Sequence, residues 1–472
     1  MSDDHRRATI APSQRTRAAL CALALTALVA LLCPALASAS AGAPATVTPL
    51  PRSQYTVDPV CAQPAPGRAA CMALQLVARS ERARAHRNPI GIARAAAPAP
   101  SAEPSPADGD FGLRPQDLHS AYELPSEGAS AQTIALVDAY NDPTAEEDLA
   151  TYSSEFGLPA CTGANGCFAK VNENGEAGRL PFPTSLEELE SARKGRGRAE
   201  AEEASSWAVE MSLDIEVAHA VCSSCHIVLV EANAADYGDL EAAEDTAASR
   251  ADEISDSWAG AECAAVGVCA GASAAFDHPG KVIAAAAGDE GYLNWLEASG
   301  PSFANYPASS PDVVAVGGTR LTPLGEGGEW QGESVWNDGG EKRKGLKQGA
   351  GAGGGGCSVQ FEAQPWQRAL PDWSEVGCEG RRAVADVSAD ADPYSGVAVY
   401  DSGASCEYLE GKSVRDGHWC TLGGTSLATP LIAATFALAG GAQGVEYPAK
   451  TLYENAASSA TALHDITSGS NG

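Results

Sequence analysis

The sequence predicts one large α/β domain built on a mostly parallel β-sheet with helices on both faces. Short and almost continuously apolar segments, such as Gln132–Asp138 and His226–Glu231, alternate with segments of helical spacing such as Ala145–Phe156. Strands without a polar face are typical of parallel sheets that helices cover on both sides. The chain has 472 residues, of which 44% are hydrophobic, so it is long enough to bury a sizeable core.

Further elements follow the same alternation. Trp207–Val221 has the spacing of a helix. The remaining strand candidates are Glu253–Trp258, Val282–Ala287 and Val313–Val316. Two stretches interrupt the pattern, namely the charged segment Ser185–Glu203 and the glycine-rich segment Gly349–Gly356. The glycine-rich segment lacks the Gly-Lys-Ser/Thr ending of a phosphate-binding loop, so we expect no nucleotide site there.

The N-terminus has the features of an export signal. Arg15 and Arg17 precede the apolar run from Ala18 to Cys33, and small residues follow. The run is shorter than the roughly 20 apolar residues of a membrane span. We therefore predict a cleaved signal peptide over residues 1–39 and a secreted, extracellular protein, with a retained membrane anchor as the alternative.

Three regions are predicted after the signal. Residues 40–94 carry a basic cluster and are interpreted as a short prosegment. Residues 95–110 are rich in proline and alanine, a composition typical of a linker. The compact domain is predicted to occupy residues 111–472.

The charge balance excludes some partners. Lysine and arginine number 31 against 61 aspartates and glutamates, which gives a net charge of −30. Such a chain repels phosphate groups and anionic membranes. We expect neither a nucleic-acid nor a membrane partner after signal cleavage, and we expect a monomer.

Twelve of the 14 cysteines lie outside the signal and come as close neighbours in the sequence. The predicted disulfides are Cys61–Cys71, Cys161–Cys167, Cys222–Cys225, Cys263–Cys269, Cys357–Cys378 and Cys406–Cys420. Sequence-local pairs are typical of exported proteins. The alternative is a zinc site at Cys222-x-x-Cys225-His226, but no second Cys-x-x-Cys is present to complete four ligands.

The segment Gly423–Pro430, GGTSLATP, has the pattern of a nucleophile at the start of a helix. Its glycines permit a sharp turn, Pro430 suits a first helical turn, and a long apolar run follows. Ser426 would then lie where backbone N–H groups and the helix dipole stabilise an oxyanion. The alternative is that Ser426 is a plain helix cap.

Two carboxylates provide a candidate base. Glu210 and Asp214 are four residues apart and therefore share one face of the predicted helix, among apolar neighbours. Burial and like charge raise carboxylate pKa values and let such a pair share a proton. Glu210 is the candidate general base for Ser426, with Asp214 orienting it. The alternative is a solvated acidic face.

A third acid follows the apolar strand at Val282–Ala287. Asp289 lies between Gly288 and Gly291, at the carboxyl end of that strand, where α/β folds place their sites. A protonated Asp289 would be able to donate a hydrogen bond to an oxyanion. The alternative is a turn aspartate.

Together these motifs resemble the sedolisins, the subtilisin-like serine-carboxyl peptidases. Glu210-x-x-x-Asp214, the Gly-Asp-x-Gly loop at Asp289 and the Gly-Gly-Thr-Ser motif at Ser426 occur in that family's order. The segments Phe303–Thr319 and Asp386–Pro393 are also similar. The resemblance covers about Phe111–Gly472.

The resemblance implies a subtilisin-like fold and a secreted endopeptidase that cleaves proteins or peptides through an acyl-enzyme. Ser426 would be the nucleophile and Glu210 the base, while Asp214 would orient Glu210. Asp289 would stabilise the oxyanion in its protonated form, which favours acidic pH. The strand Ser255–Gly260 resembles the segment along which subtilisin-like enzymes lay the substrate backbone.

The resemblance also implies a calcium site near the C-terminus. Asp465 and Ile466 match the first half of the family's ligand pattern, and the chain ends at Gly472 before the second half. Asp465 and the Ile466 carbonyl alone fall short of the roughly six to eight oxygens that calcium takes. The alternative for Asp465 is a cap or turn residue.

Two other functions stay open at this point. A Ser-His-Asp peptidase would use Asp138, at the end of its strand, but no His-Gly-Thr context is present. His219 lies five residues beyond Asp214 and is expected to be a packed helix residue. The other alternative is a secreted, non-catalytic binding protein.

Overall fold

The computed structural model of the chain describes residues 52–79, 112–126, 132–262, 274–293, 304–325, 328–339, 351–403, 418–456 and 463–472. The predicted signal peptide, the linker and the pair Cys263–Cys269 lie outside the described residues. No helix among the described residues is both long enough and apolar enough to cross a membrane.

The described part of the chain contains strands and helices in alternation. The strands are β1 (Tyr55–Pro59), β2 (Ala70–Cys71), β3 (Leu74–Ala78), β4 (Thr133–Ala139), β5 (Phe168–Asn172), β6 (His226–Ala232), β7 (Glu253–Asp256), β8 (Trp258–Ala261), β9 (Val282–Ala286), β10 (Asn305–Tyr306), β11 (Val314–Leu321), β12 (Glu333–Val335), β13 (Gly356–Glu362), β14 (Arg381–Val384), β15 (Val387–Asp390), β16 (Val397–Tyr400) and β17 (Trp419–Gly423).

The helices are fewer and vary more in length. They are α1 (Pro115–Ala121), α2 (Ala145–Phe156), α3 (Leu186–Arg193), α4 (Arg198–Val221), α5 (Tyr237–Ala248), α6 (Pro365–Arg368), α7 (Trp373–Val376), α8 (Thr425–Leu438) and α9 (Ala449–Asn455).

The central sheet is mostly parallel, as the sequence predicts. Its strand order is β12-β11-β9-β7-β4-β6-β5, with β15 also pairing to β11. Only the β11–β12 pair is antiparallel among its described pairs. Every residue of β7 and β9 is buried, so both faces of the sheet are covered. The fold class is therefore α/β, with a mostly parallel sheet that is covered on both faces.

Helices α4 and α8 pack against each other, and α8 also contacts β7 and β9. Helix α8 is almost wholly apolar and its first turns are buried, as expected for a helix in a core. In α4, every residue from Trp207 to Val221 is buried. These two helices bring the predicted nucleophile and the predicted acids to one place.

The structure also corrects several boundaries. The charged stretch Ser185–Glu203 is not an irregular insertion, because it forms α3 and the first turn of α4. Ser185 caps α3 by accepting a hydrogen bond from the Glu188 N–H, and Glu188 accepts from the Thr184 N–H in return. The predicted strand Glu253–Trp258 is two strands, interrupted at Ser257.

Four predicted disulfides are present among the described residues. They are Cys61–Cys71, Cys161–Cys167, Cys222–Cys225 and Cys357–Cys378. Cys420 is also disulfide-bonded. The zinc alternative at Cys222-x-x-Cys225 is wrong, because sulfurs joined in a disulfide no longer offer the thiolates that zinc requires.

The segment before the predicted linker adds strands to the body of the molecule. β1 pairs with β3, and β3 pairs with β17, which leads into α8. β2 pairs with β8 in a separate three-stranded sheet. Residues 52–79 therefore belong to the same compact unit as the sheet, Ala43–Gly472.

A buried ion pair joins β14 to the residues that follow it and to the segment from Ser310 to Val313. The Arg382 guanidinium donates to both oxygens of Asp386, at 2.6 and 2.5 Å, and its other N–H groups reach the carbonyls of Ser310 and Val313. Both charged side chains are almost fully buried. Removing one partner of such a pair leaves an uncompensated charge in the core.

We expect Arg382→Ala to lower the free energy of unfolding by about 3–5 kcal/mol, because Asp386 would stay buried without its cation. The neighbouring Arg381 is exposed. Arg381→Ala is therefore the matched control, with an expected change of about 0.5 kcal/mol or less. Urea titration of both variants at one pH measures the difference, and equal losses would contradict a structural role for the buried pair.

Candidate active site

Ser426 lies in the first turn of α8, immediately after the strand β17. The turn depends on Gly424, whose φ of 96° is unfavourable for other residues. A Cβ at Gly424 would lie 1.9 Å from the carbonyl oxygen of Met72 and 2.6 Å from Asp289 Oδ2. The predicted glycine turn is confirmed, and its second purpose is the close approach of another backbone segment.

The sequence pattern predicted that Pro430 lies in the first helical turn, and this prediction is wrong. The helix begins at Thr425, so Pro430 is inside it. Proline has no N–H, and the Ser426 carbonyl four residues earlier therefore receives no bond from it. The Ser257 hydroxyl lies 3.5 Å from that carbonyl oxygen. Pro430 thus leaves the Ser426 carbonyl without the N–H donor that a helix would normally supply four residues later, and the Ser257 hydroxyl approaches it instead.

Glu210 and Asp214 lie on the inner face of α4 and have no exposed surface. Burial raises the pKa of Glu210 well above its usual range, and the nearby Asp138 raises this pKa further. A hydrogen bond with the Ser426 side chain acts in the opposite direction. Glu210 Oε2 also accepts a hydrogen bond from the Ala73 N–H at 2.9 Å. The solvated acidic face considered for these residues is wrong.

Ser257 connects the acid pair, the nucleophile and the segment at Met72. Its hydroxyl donates to Asp214 Oδ1 at 2.7 Å. Its carbonyl accepts from the Ser426 hydroxyl at 3.2 Å and from the Met72 N–H at 3.1 Å. The sequence indicated the strand around this residue but not its own role. Ser257 lies between β7 and β8 and is itself fully buried.

Asp289 lies at the carboxyl end of β9 and faces the start of α8. Its Oδ1 accepts from the Thr425 N–H at 2.8 Å and from the Thr425 hydroxyl at 2.9 Å. Its Oδ2 and the Met72 carbonyl oxygen both lie next to Gly424. The site therefore contains three of the predicted residues around one point, with Asp214 joined to it through Ser257.

Further acids lie behind this site, and of these the sequence singled out only Asp138, as part of the alternative triad. Burial raises the pKa of Asp138 to about 8. Burial also raises the pKa values of Asp256 and Glu244 well above their usual ranges. Asp138 in turn raises the pKa of Asp214. The only sequence signal for this acid cluster is that each member ends or follows a buried strand or lies on a buried helix face.

His219 is packed away from Ser426. It has no exposed surface, and its Nε2 donates to the Pro159 carbonyl at 2.8 Å. Burial lowers its pKa. Asp138, the other residue of the alternative triad, lies among the acids instead. The predicted packed position of His219 is confirmed, and the geometry offers the Ser-His-Asp alternative no support.

The predicted calcium ligands lie in the last described segment. Asp465 is exposed, and Ile466 lines a cavity of about 450 Å³ together with Ser470 and Asn471. Among the described residues, Asp465 belongs to no group of three closely spaced acidic, histidine or cysteine side chains. One carboxylate does not fit the ligand number of calcium. The calcium site stays a prediction, and no step of the chemistry depends on it.

Comparison with known proteins agrees with this geometry. The profile described as the Subtilase family matches residues 206–468, which include Glu210, Asp289 and Ser426. This chain belongs to the subtilase family. Its relatives identify it as a sedolisin-like member of that family.

Two curated relatives support the same assignment for this subtilase. Kumamolisin from Bacillus sp. (strain MN-32) is 34% identical over 273 residues, 56% of this chain and 44% of that protein. Sedolisin from Pseudomonas sp. (strain 101) is 32% identical over 200 residues, 41% of this chain and 30% of that protein. The chain thus spans less than half the length of these relatives.

A solved structure supports the fold. The Pseudomonas sedolisin, a serine-carboxyl proteinase complexed with pseudo-iodotyrostatin, matches with a TM-score of 0.58. The match covers 77% of this subtilase and 90% of the sedolisin chain, at 23% identity. At that identity the likeness is evidence for the fold alone.

The buried acids predict an unusual dependence of stability on pH. Asp138 holds its proton in the folded state up to about pH 8, against an ordinary value of 3.8. The unfolded chain releases that proton near its ordinary pKa, so the folded state binds more protons between these values. The contribution is therefore fully present below about pH 4 and is lost as the pH rises toward 8.

We expect the free energy of unfolding of the whole protein to fall between pH 4 and pH 8, and Asp138→Asn to make this fall shallower. The change in slope should be at most about 1.4 kcal/mol per pH unit, the value for one proton. Glu187→Gln, on an exposed surface, is the control. Urea titrations at each pH measure the slopes, and an unchanged slope in Asp138→Asn would contradict the retained proton.

Proposed function

We propose that this protein is a serine-type endopeptidase with a Ser426–Glu210–Asp214 triad and Asp289 in the oxyanion site. The observation that carries the proposal is that the predicted base and the predicted oxyanion donor both lie at one backbone peptide, Met72–Ala73. The Ala73 N–H bonds to Glu210, while the Met72 carbonyl lies against Gly424 and beside Asp289. The Ser426 hydroxyl donates to the Ser257 carbonyl, which also accepts from the N–H of Met72.

In the proposed reaction, the Ser426 hydroxyl oxygen attacks the carbonyl carbon of the substrate. Glu210 takes the hydroxyl proton as the bond forms. The negative charge that develops on the carbonyl oxygen is stabilised by a hydrogen bond from protonated Asp289 and by the N-terminus of α8. Glu210 then passes its proton to the leaving nitrogen, the position that the Ala73 N–H occupies. Water cleaves the resulting ester by the reverse sequence.

Asp214 is proposed as a positioning residue. It interacts with Glu210, since burial raises the pKa of Asp214 and the nearby Glu210 raises this pKa further. Through the Ser257 hydroxyl it also fixes the residue whose carbonyl orients Ser426. Its role is to hold both partners of the proton transfer in place.

The proposed mechanism requires one proton on the two carboxyls that face the reacting group. Glu210 must be ionised to act as a base, and Asp289 must be protonated to act as a donor. Loss of that one proton from Asp289 leaves both carboxyls negatively charged beside the developing oxyanion. Activity should therefore decline as the pH rises and favour acidic conditions.

Export is part of the proposal. The four described disulfides support folding in an oxidising compartment, where such bonds persist. The substrates would be proteins or peptides outside the cell, bound in extended form along β8.

The decisive test is hydrolysis of a denatured protein from pH 3 to pH 8. We expect Ser426→Ala and Glu210→Gln each to lower the rate by at least about 10³-fold, since nucleophile and base act as one unit. Asp289→Asn, which keeps the size but not the acid proton, should lower it by about 10²-fold or more and flatten the alkaline decline.

His219→Gln is the matched control, because His219 lies on the same helix as Glu210 but bonds to Pro159. It should keep its activity at temperatures where the variant is folded. Activity that survives Glu210→Gln but not His219→Gln would contradict the carboxylate base.

A further inference from the structure

A segment of this chain lies in the proposed cleft as an extended strand. The Ala69 N–H donates to the Ala235 carbonyl at 2.9 Å, and the Tyr237 N–H donates to the Gly67 carbonyl at 3.2 Å. On the other side, β2 pairs antiparallel with β8. The strand is therefore held at both edges, the arrangement by which a peptide is bound through its backbone.

The peptide bond between Met72 and Ala73 occupies the reacting position. Its carbonyl oxygen lies at Gly424 beside Asp289, and its N–H donates to Glu210. Met72 and Ala73 are each only 1% exposed. The proposed base and the proposed oxyanion donor therefore flank this bond, and the Met72 N–H shares the Ser257 carbonyl with the Ser426 hydroxyl.

Contacts within residues 52–79 hold the chain on both sides of the Met72–Ala73 bond. Before the bond, the Cys61–Cys71 disulfide ties the strand to the preceding loop. The Val60 N–H donates to the Ala73 carbonyl at 3.0 Å, across the bond. β1 and β3, which lie on opposite sides of the bond in sequence, pair through five residues.

The outer end of the segment has a charged anchor. The Arg68 guanidinium pairs with Glu203 at 2.8 Å and with Asp236 at 2.9 Å. It also donates to the Tyr140 hydroxyl. After the bond, β3 pairs with the end of β17. The segment is thus fixed along its whole length.

We propose that residues 52–79 are a built-in, substrate-like inhibitor whose reactive bond is Met72–Ala73. The inference rests on the proposed function and adds to it a self-cleavage site and the register of the bound chain. Cleavage here does not release the segment, because the pairing of β1 with β3 and the Val60–Ala73 bond hold both new ends in place.

The chemistry at this bond is reversible. Ser426 Oγ bonds to the Met72 carbonyl carbon, the Met72–Ala73 bond breaks, and Glu210 transfers the serine proton to the Ala73 nitrogen. The freed Ala73 amine stays beside the Met72 ester at high effective concentration. It attacks the ester, returns a proton through Glu210 and restores both the peptide bond and the serine hydroxyl. Retention of the amine also hinders the water that would complete hydrolysis.

The first experiment compares full-length chains on a denatured protein at acidic pH. The wild type should be slow, and Met72→Gly should be faster by about ten-fold or more, because the buried side chain no longer holds the strand in the cleft. Ala62→Gly, the same kind of truncation at an exposed position of the same segment, should equal the wild type. Arg68→Ala, at a side chain that is 27% exposed, is a second variant with little risk to folding and should also be faster than the wild type.

The mass of the incubated wild-type chain gives an independent readout. After reduction and denaturation we expect cleavage at Met72–Ala73 that reaches a plateau, and before denaturation both pieces should elute together. Ser426→Ala should stay intact. Cleavage only between residues 80 and 111, with loss of the segment and full activity, would show a disposable prosegment and overturn the inference. Equal activity of the wild type, Met72→Gly and Arg68→Ala would also overturn it.

Binding separates this inference from the proposed function. In chains that carry Ser426→Ala, a fluorescent peptide that copies Gly67–Leu76 should bind when Met72→Gly is also present and not when Met72 is retained. Equal binding, or no binding to either chain, would contradict an occupied cleft. A further outcome is that the peptide binds as expected but no chain that retains Ser426 cleaves protein. This result would contradict the peptidase function and would still support the inhibitor segment.

Discussion

Burial of several carboxyl groups in one region is the constraint on which the site depends. Asp138, Glu210, Asp214 and Asp256 lie within the core, and desolvation is the largest influence on the pKa of each. A carboxylate in such surroundings is costly, and a neighbour that already carries charge makes it more so. The cluster therefore keeps protons that the unfolded chain would release. The same property gives Glu210 a high affinity for the proton of Ser426.

The break at Ser257 converts this acid cluster into a site. A continuous strand would direct the carbonyl and N–H of this residue into the ladder of hydrogen bonds. At the interruption between β7 and β8, the Ser257 carbonyl accepts from the Met72 N–H, which extends the pairing of β2 with β8, and also from the Ser426 hydroxyl. The hydroxyl reaches Asp214 at the same time. One residue thus couples the buried acids to the groups that face the cleft.

The occupied cleft also explains why the N-terminal segment is part of the compact unit. β8 exposes an edge that is ready to pair with another strand, and an open edge invites association with other chains. Here β2 covers that edge, and β3 adds to β17 beside it. Both interactions involve mainly the backbone. The segment is thereby held by the same features that would bind a substrate in extended form.

The sequence by itself determined the fold class, most elements and the local pairs. Apolar runs predicted the parallel strands, GGTS predicted the turn before Ser426, and close spacing predicted the disulfides, because each depends on residues near one another in the chain. Glu210 and Asp214 were found for the same reason. Interruptions of the pattern were harder to predict. In the sequence, Ser257 looks like part of one continuous strand. The charged segment 185–203 looks like an irregular insertion, although it is helical.

Only the tertiary structure decided which distant groups meet. That Ser257 lies between Asp214 and Ser426, and that Asp138 joins the acids, follows from the packing of α4 and α8 on the sheet. The position of Met72 could not be read from its neighbours in sequence. It is fixed by backbone pairing with β8 and β17, which are about 190 and 350 residues away along the chain. Nearly every residue can form backbone hydrogen bonds, whatever its side chain. This pairing therefore leaves no signature in the sequence.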